Sequence, residues 1–317
     1  MHDKNRKRII LNSLIFILKW IVLLVTYLFL AYKLSTFKQY DVLFQHFEQI
    51  TTTHYFGLLI VFVLLPLNMV LEALKWQKIV EKSERIPFNQ ALNAVFAGFA
   101  TGFVTPNRIG EMAGRMLFIS PSHRKITAIY ALLNSLTQNY VIALVGLPTA
   151  VYFFLILKNN TDNFHNPFLI AVAAFVLLFT ILYFFLPRLV LLFNKYDKIK
   201  SLSSISEYKI IDLLIITGYS LLRFFIFSIQ FFAILHFLGV ELSVFEAFIS
   251  IPTSYLFVTF TPALAFSEAA IRSSYAVIFI GAFSEDMVGI AIAGFALWFI
   301  NFVLPMLIGS KLVANTK

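Results

Sequence analysis

Thr105-Pro106-Asn107-Arg108-Ile109-Gly110-Glu111, with Arg115 four residues on, ends an apolar run that begins at Ala91. The run is about 14 residues long, short of the roughly 20 that a bilayer-crossing helix needs. A second stretch repeats the pattern. Phe245-Glu246-Ala247-Phe248 opens an apolar run to Phe260, and Thr261-Pro262, Ser267-Glu268 and Arg272 follow. Ala91 matches Ala247 and Thr105-Pro106 matches Thr261-Pro262 at an offset of 156, while Glu111, Arg115 and Pro148 match Glu268, Arg272 and Pro305 at 157. One inserted residue accounts for the difference. Two apolar segments too short to span, each closed by Thr-Pro and a Glu/Arg pair, read as two re-entrant helical hairpins of a duplicated membrane unit.

Composition agrees. Of the 317 residues, 60% are hydrophobic and 13% charged, where a soluble domain carries about 25% charged residues. There is no cysteine, which excludes disulfides and thiolate metal sites, and the six histidines show no metal-ligand spacing. Neither a metal nor any other cofactor is expected. Phosphate-binding loops, dinucleotide fingerprints and zinc motifs are missing, so the expectation is a protein that is not an enzyme. The net charge of +9 does not point to nucleic acid, because most of the charges flank apolar segments.

Six spanning helices are predicted at about 11–32, 56–74, 127–157, 167–187, 210–238 and 288–310. The segment 39–54 has helical apolar spacing and reads as an interfacial helix or a packed loop. With the N-terminus cytoplasmic, inner segments hold 17 Lys/Arg and outer ones 3, provided both hairpins enter and leave on one side. In that arrangement Lys75 falls in an inner loop. Three spans separate the two Thr-Pro motifs, so the second copy is upside down. The fold class expected is therefore all-α integral membrane, about six transmembrane helices plus two re-entrant hairpins in an inverted-topology repeat. The chain is one polytopic domain, 1–317, with halves at about 11–157 and 167–312, in the plasma membrane with both termini cytoplasmic.

Charges left inside the membrane layer are the candidate site. A mid-bilayer charge costs about 2.5–3.5 kcal/mol on insertion scales, so retained ones line a cavity or pair. Glu111 with Arg115, and Glu268 with Arg272, are spaced to pair along a helix. Arg108 has only Glu111 at i+3 and is expected to face a ligand. Arg223 is a mid-helix pathway candidate, and Lys19 is placed to snorkel. Thr is a good N-cap and Pro suits the first helical position, so Thr105-Pro106 and Thr261-Pro262 are expected to start the second half-helices. Such starts favour phosphate or carboxylate. The substrate-binding set is thus Thr105, Pro106, Arg108, Glu111, Arg115, Arg223, Thr261, Pro262, Glu268 and Arg272.

The motif Pro106-Asn107-Arg108-Ile109-Gly110-Glu111 with Arg115 resembles the Pro-x-Arg-x-Gly-Glu signature of flippase-like membrane domains. These are typified by the transmembrane region of lysylphosphatidylglycerol synthases (multiple peptide resistance factors) and by stand-alone relatives. The resemblance extends to Trp76, to Leu238-Gly239-Val240-Glu241-Leu242-Ser243, and to Pro262 with Glu268. Where the family is glycine-rich after the second proline, this chain reads Ala263-Leu264-Ala265-Phe266-Ser267. Where the family carries Arg and Asp after the first hairpin, it reads Asn134-Ser135-Leu136-Thr137-Gln138-Asn139.

The resemblance implies lipid translocation between leaflets, known for aminoacylated phosphatidylglycerol in multidomain members. Only Met306–Lys317 follows Pro305, so no lipid aminoacylation is expected. The expected function is movement of an anionic phospholipid or polyprenyl-linked lipid through a central polar cavity. The alternatives are secondary transport of a small anionic solute, or a non-catalytic membrane partner of a lipid or cell-envelope enzyme. Expected partners are membrane lipids with anionic headgroups, with a homodimer and a separate lipid-modifying enzyme as further candidates, and no nucleic acid.

Overall fold

The computed structural model describes residues 55–103, 105, 108–157, 167–195, 197–262 and 265–315. The predicted first span at 11–32, with Lys19, and the segment 39–54 lie outside the described residues. Among those described, all regular structure is helical. The chain runs α1 (Tyr55–Val80), α2 (Phe88–Phe103), α3 (Gly110–Met116), α4 (Arg124–Leu157) and α5 (Pro167–Leu189). Two 3₁₀ segments, Val190–Lys195 and Asp197–Glu207, lead to α6 (Ile210–Phe237). Then come α7 (Val244–Phe260), α8 (Ala265–Ile280), α9 (Met287–Trp298), a π turn (Phe299–Val303) and α10 (Leu304–Asn315).

Five stretches are long and apolar enough to cross a membrane: Tyr55–Val80, Arg124–Leu155, Leu169–Leu192, Ile210–Phe237 and Met287–Asn315. They coincide with the five predicted spans that fall on described residues. α1 is longer than predicted. It continues through Lys75 and Lys78 to Val80, so Lys75 belongs to the helix and is fully buried. The charge does not end the helix because Lys75 Nζ lies 2.9 Å from Glu72, one turn back on the same face.

The helices α2 and α7 are short, with 16 and 17 residues. At 1.5 Å per residue each is about 25 Å long, below the roughly 30 Å hydrocarbon thickness. α2 packs against α3 and α10, whereas α7 packs against α8 and α4. The first of these contacts is very close. A Cβ on Gly309 would sit 1.8 Å from the carbonyl oxygen of Phe96, so only glycine lets α10 approach α2 this way. Gly114 does the same inside the first hairpin, where a Cβ would lie 2.3 Å from the Ala97 carbonyl oxygen.

The last span is interrupted for a chemical reason. Pro305 has no N–H, and its ring crowds the carbonyl four residues back, at Asn301. The helix widens into the π turn there, and Asn301 is buried facing the other helices. π turns of this kind are frequent at functional sites.

α1 packs along α6 at the centre of the bundle. The core there is fully buried Trp76, Ile79, Leu213, Ile216 and Leu235. The outer surface is the reverse. On α5, Phe175, Leu177, Leu178, Ile181 and Leu182 are all exposed, as suits a helix whose solvent is lipid.

The predicted helix starts are corrected. α3 begins at Gly110 rather than Pro106, and α8 at Ala265 rather than Pro262. Thr105 staples the turn between them instead. Its Oγ1 donates to the Gly102 carbonyl (3.1 Å) and accepts from the Gly110 N–H (2.7 Å). This turn includes Arg108 at φ 57°, the only non-glycine residue with positive φ among the described residues. Thr261 closes α7 at its C-terminus. Its Oγ1 donates to the Phe257 carbonyl (2.7 Å) and lies 2.9 Å from the Tyr275 hydroxyl.

Candidate functional site

A cavity of about 510 Å³ opens among α1, α2, α4, α6, the two hairpin connections and the π turn. Arg108, Glu111, Arg115, Arg223, Thr261, Pro262, Glu268 and Arg272 all line it. Eight of the ten residues chosen from the sequence therefore meet in one place. Thr105 does not line it, and Pro106 lies outside the described residues. The ionisable lining divides into two clusters.

The first lies at the hairpin connections. Arg108 does not stand free, as expected from its spacing, but forks onto Glu268 of the other hairpin. Its Nε donates at 3.0 Å and its Nη2 at 2.7 and 2.9 Å. The guanidinium also lies 3.9 Å from the centre of the Phe302 ring, a cation–π contact. Arg272 donates to the same carboxylate at 2.8 and 3.1 Å, the i,i+4 pair expected. Glu111 lies 3.7 Å from Arg108 and 3.6 Å from Arg115. Two guanidinia meet two carboxylates here, one of which, Glu111, is shared with Arg115 of the deeper cluster. The setting is partly open: the Arg108, Arg272 and Glu111 side chains are 22–27% exposed.

The second cluster is deeper and centred on Glu72, which the sequence reading missed. Its Oε1 accepts from Arg115 Nη2 (2.6 Å) and Asn134 Nδ2 (3.2 Å). Its Oε2 accepts from Arg223 Nη1 and lies 2.9 Å from Lys75 Nζ. A carboxylate offers about four lone-pair sites, and all are used. The expected Glu111–Arg115 pair is thus secondary to Glu72–Arg115.

Arg223 Nε donates to Asn68 (2.8 Å), and Asn68 donates to Asn301 on the π turn (3.0 Å). Gln138 accepts from both Arg223 (3.2 Å) and Lys75 (3.4 Å). The Arg115 guanidinium stands 5.0 Å from the Trp76 ring.

Over both clusters five cations meet three carboxylates among the described residues, Glu111 being shared between Arg108 and Arg115, which leaves an excess of two positive charges; three of the cations surround Glu72. The side chains of Glu72 and of those three are each under 10% exposed. Arg115 Nη1, Asn134 Oδ1 and the Tyr255 hydroxyl belong to residues that line the cavity; the atoms themselves are covered and have no hydrogen-bond partner among the described residues. Unmet donors beside uncancelled positive charge suit a ligand that brings its own oxygens.

A helical bundle with five apolar spans among the described residues and a charged internal cavity defines a polytopic membrane protein with a polar interior site. The family profile described as lysylphosphatidylglycerol synthase TM region matches residues 9–309, and the chain belongs to that family. Searches of curated proteins and of solved structures returned no match.

Proposed function

We propose that this protein carries an anionic lipid headgroup through the cavity from one membrane leaflet to the other, without chemistry on the lipid. The observation that carries the reading is the excess positive charge of a cavity within an apolar bundle, where five cations meet three carboxylates among the described residues. An uncancelled cation at this depth is costly, and an anionic headgroup offsets that cost while its acyl chains stay in the bilayer. The Arg108–Glu268 fork joins the two hairpins beside the cavity and acts as a latch that opens as the headgroup passes.

In the same proposal, α2–α3 and α7–α8 are re-entrant hairpins in inverted halves, about 11–157 and 167–312, of one domain in the plasma membrane. The order of elements supports this. A long helix, a short one, a shorter one and a long span occur twice, as α1–α4 and as α6–α10. Each half's short helix packs on the last span of the other half, α2 on α10 and α7 on α4. Because the chain has no cysteine, single cysteines test the topology. Probes at Lys82, His123 and Lys198 are expected to label from the cytoplasm, and those at Lys38, Asn160 and Ser284 from outside. Labelling of His123 and Lys82 from opposite sides rules out the inverted halves.

The functional test is reconstitution in liposomes with labelled phosphatidylglycerol and phosphatidylcholine, following label that reaches the far leaflet. Phosphatidylglycerol is expected to move faster than phosphatidylcholine, and faster than in Arg108→Ala vesicles. If neither lipid moves above protein-free background but a water-soluble anion does, the protein is a solute transporter.

A further inference from the structure

The two clusters differ in charge, and the difference points to a headgroup class. Around Glu268 every carboxylate is matched by a guanidinium. An ammonium-bearing headgroup therefore finds no spare acid in the cavity. Around Glu72 three cations share a carboxylate with no lone pair left, and with Glu111 counted once between Arg108 and Arg115 the cavity as a whole keeps an excess of two positive charges. A phosphodiester supplies one negative charge. A terminal phosphate supplies between one and a half and two at pH 7, with three strong acceptor oxygens. The groups around it are donors suited to such oxygens. Arg115 Nη1 and the Tyr255 hydroxyl, covered atoms on residues that line the cavity, have no hydrogen-bond partner among the described residues, and Lys75 and Arg223 hold Gln138, a neutral acceptor, at 3.2–3.4 Å.

We infer that the Glu72 cluster is a terminal-phosphate subsite, selecting lipids that end in a phosphomonoester or diphosphate over phosphodiester, zwitterionic and aminoacylated headgroups. The inference rests on the lipid-transport reading above and adds the charge of the substrate. Arg115, Lys75 and Arg223 hold the phosphate. Glu72 keeps the three cations in place and limits the excess to two. Gln138 sets that excess by being an amide rather than an acid.

The test uses the full chain in a neutral detergent and reads tryptophan fluorescence. Trp76 lies against Arg115 and Trp298 lines the cavity. Short-chain phosphatidic acid, phosphatidylglycerol and phosphatidylcholine are titrated, with inorganic phosphate and pyrophosphate as soluble probes. Phosphatidic acid is expected to bind about tenfold or more tightly than phosphatidylglycerol, the scale of one further close charge pair. Gln138→Glu removes one excess charge almost isosterically, in contact with two cations that welcome it. Lys75→Gln removes one from the other side, in case the first variant fails to fold. Either variant is expected to bring the affinity for phosphatidic acid down to that for phosphatidylglycerol measured in the same variant.

Equal binding of the two anionic lipids by the unaltered protein overturns the terminal-phosphate inference and leaves the anionic-lipid reading standing. A preference that survives in both variants overturns the assignment to this cluster. Binding of inorganic phosphate or pyrophosphate without any lipid binding overturns the lipid source. Phosphatidylcholine binding as tightly as either anionic lipid overturns both readings.

Discussion

The cavity holds two carboxylates in the same chemical role and in opposite electrostatic situations. Glu268 takes two guanidiniums in a partly open setting, with Glu111 nearby and shared with Arg115. Glu72 takes three cations in a closed one and is outnumbered. Only the first is held across the two hairpins, by residues 160 positions apart in sequence. The second is gathered from α1, the first hairpin and α6, with α4 supplying the amides. A balanced, accessible pair is suited to breaking and re-forming, whereas an unbalanced buried group is suited to holding a charge. In the proposed reading, net charge and depth are what divide these equal-looking acid–base groups into latch and site.

Removal of Glu72 tests the sharper half of this comparison. Glu72→Gln leaves three mutually repelling cations in a buried place, and breaking a buried charge set of this kind costs about 3–5 kcal/mol. A large fall in melting temperature and in the yield of monodisperse protein is expected. The double variant Glu72→Gln/Lys75→Gln removes one of the stranded charges and recovers part of the loss. A Glu72→Gln protein as stable as the parent contradicts the view of Glu72 as the organiser of the cluster.

The latch is tested by a double-mutant cycle on Arg108 and Glu268. Arg108→Ala leaves Glu268 with Arg272 alone, Glu268→Ala strands both guanidinia, and the coupling expected for groups in direct contact is about 0.5–3 kcal/mol. The double variant leaves only Arg272 without its carboxylate, so its stability rises above that of Glu268→Ala. Its lipid movement in liposomes stays low, because the latch is gone. Recovery of transport together with stability means that the pair only holds the hairpins in shape, and the distinction between latch and site fails.

Much of this was readable from residue types alone. Long apolar runs marked the spans, and the two short runs closed by Thr-Pro marked α2 and α7. Intramembrane charge marked Arg108, Glu111, Arg115, Arg223, Glu268 and Arg272, all of which line the cavity. Two things were hidden. Lys75 heads a basic series with Lys78, Lys82 and Arg85, and a positive cluster after an apolar run looks like the cytoplasmic end of a helix. The signal that separates them is the stripe Asn68, Glu72, Lys75, spaced four and three residues apart on one helix face. A polar stripe inside an apolar helix argues for continuation, not for an end. The Arg108–Glu268 fork was hidden for a different reason: its residues are 160 positions apart, and no local spacing encodes a contact between the two hairpins. The Thr-Pro positions were misplaced because each threonine hydroxyl bonds a backbone carbonyl of the preceding helix, which defers the next helix start by several residues.

The smallest effect is expected at Glu84, a carboxylate in the connection between α1 and α2, outside the spanning segments. It accepts from the Ser120 backbone N–H (3.0 Å) and hydroxyl (2.7 Å), with His123 Nδ1 at 3.5 Å. Partial burial pushes its pKa up, but the two Ser120 hydrogen bonds and the His123 charge outweigh this and hold it below the ordinary glutamate range. A depressed folded pKa stabilises the protein above the unfolded value, about 4.3. That contribution is lost as pH falls through the lower folded value. The expected difference in stability between the parent and Glu84→Gln is therefore constant from pH 7 to about pH 5 and closes below about pH 4. Its size is about 1 kcal/mol or less, as for water-exposed pairs, and melting temperatures of the two proteins across that pH series measure it. Glu84 thus serves as the reference for Glu72. If Glu84→Gln costs as much as Glu72→Gln, burial and the excess of cations add nothing, and the contrast between the two clusters loses its physical basis.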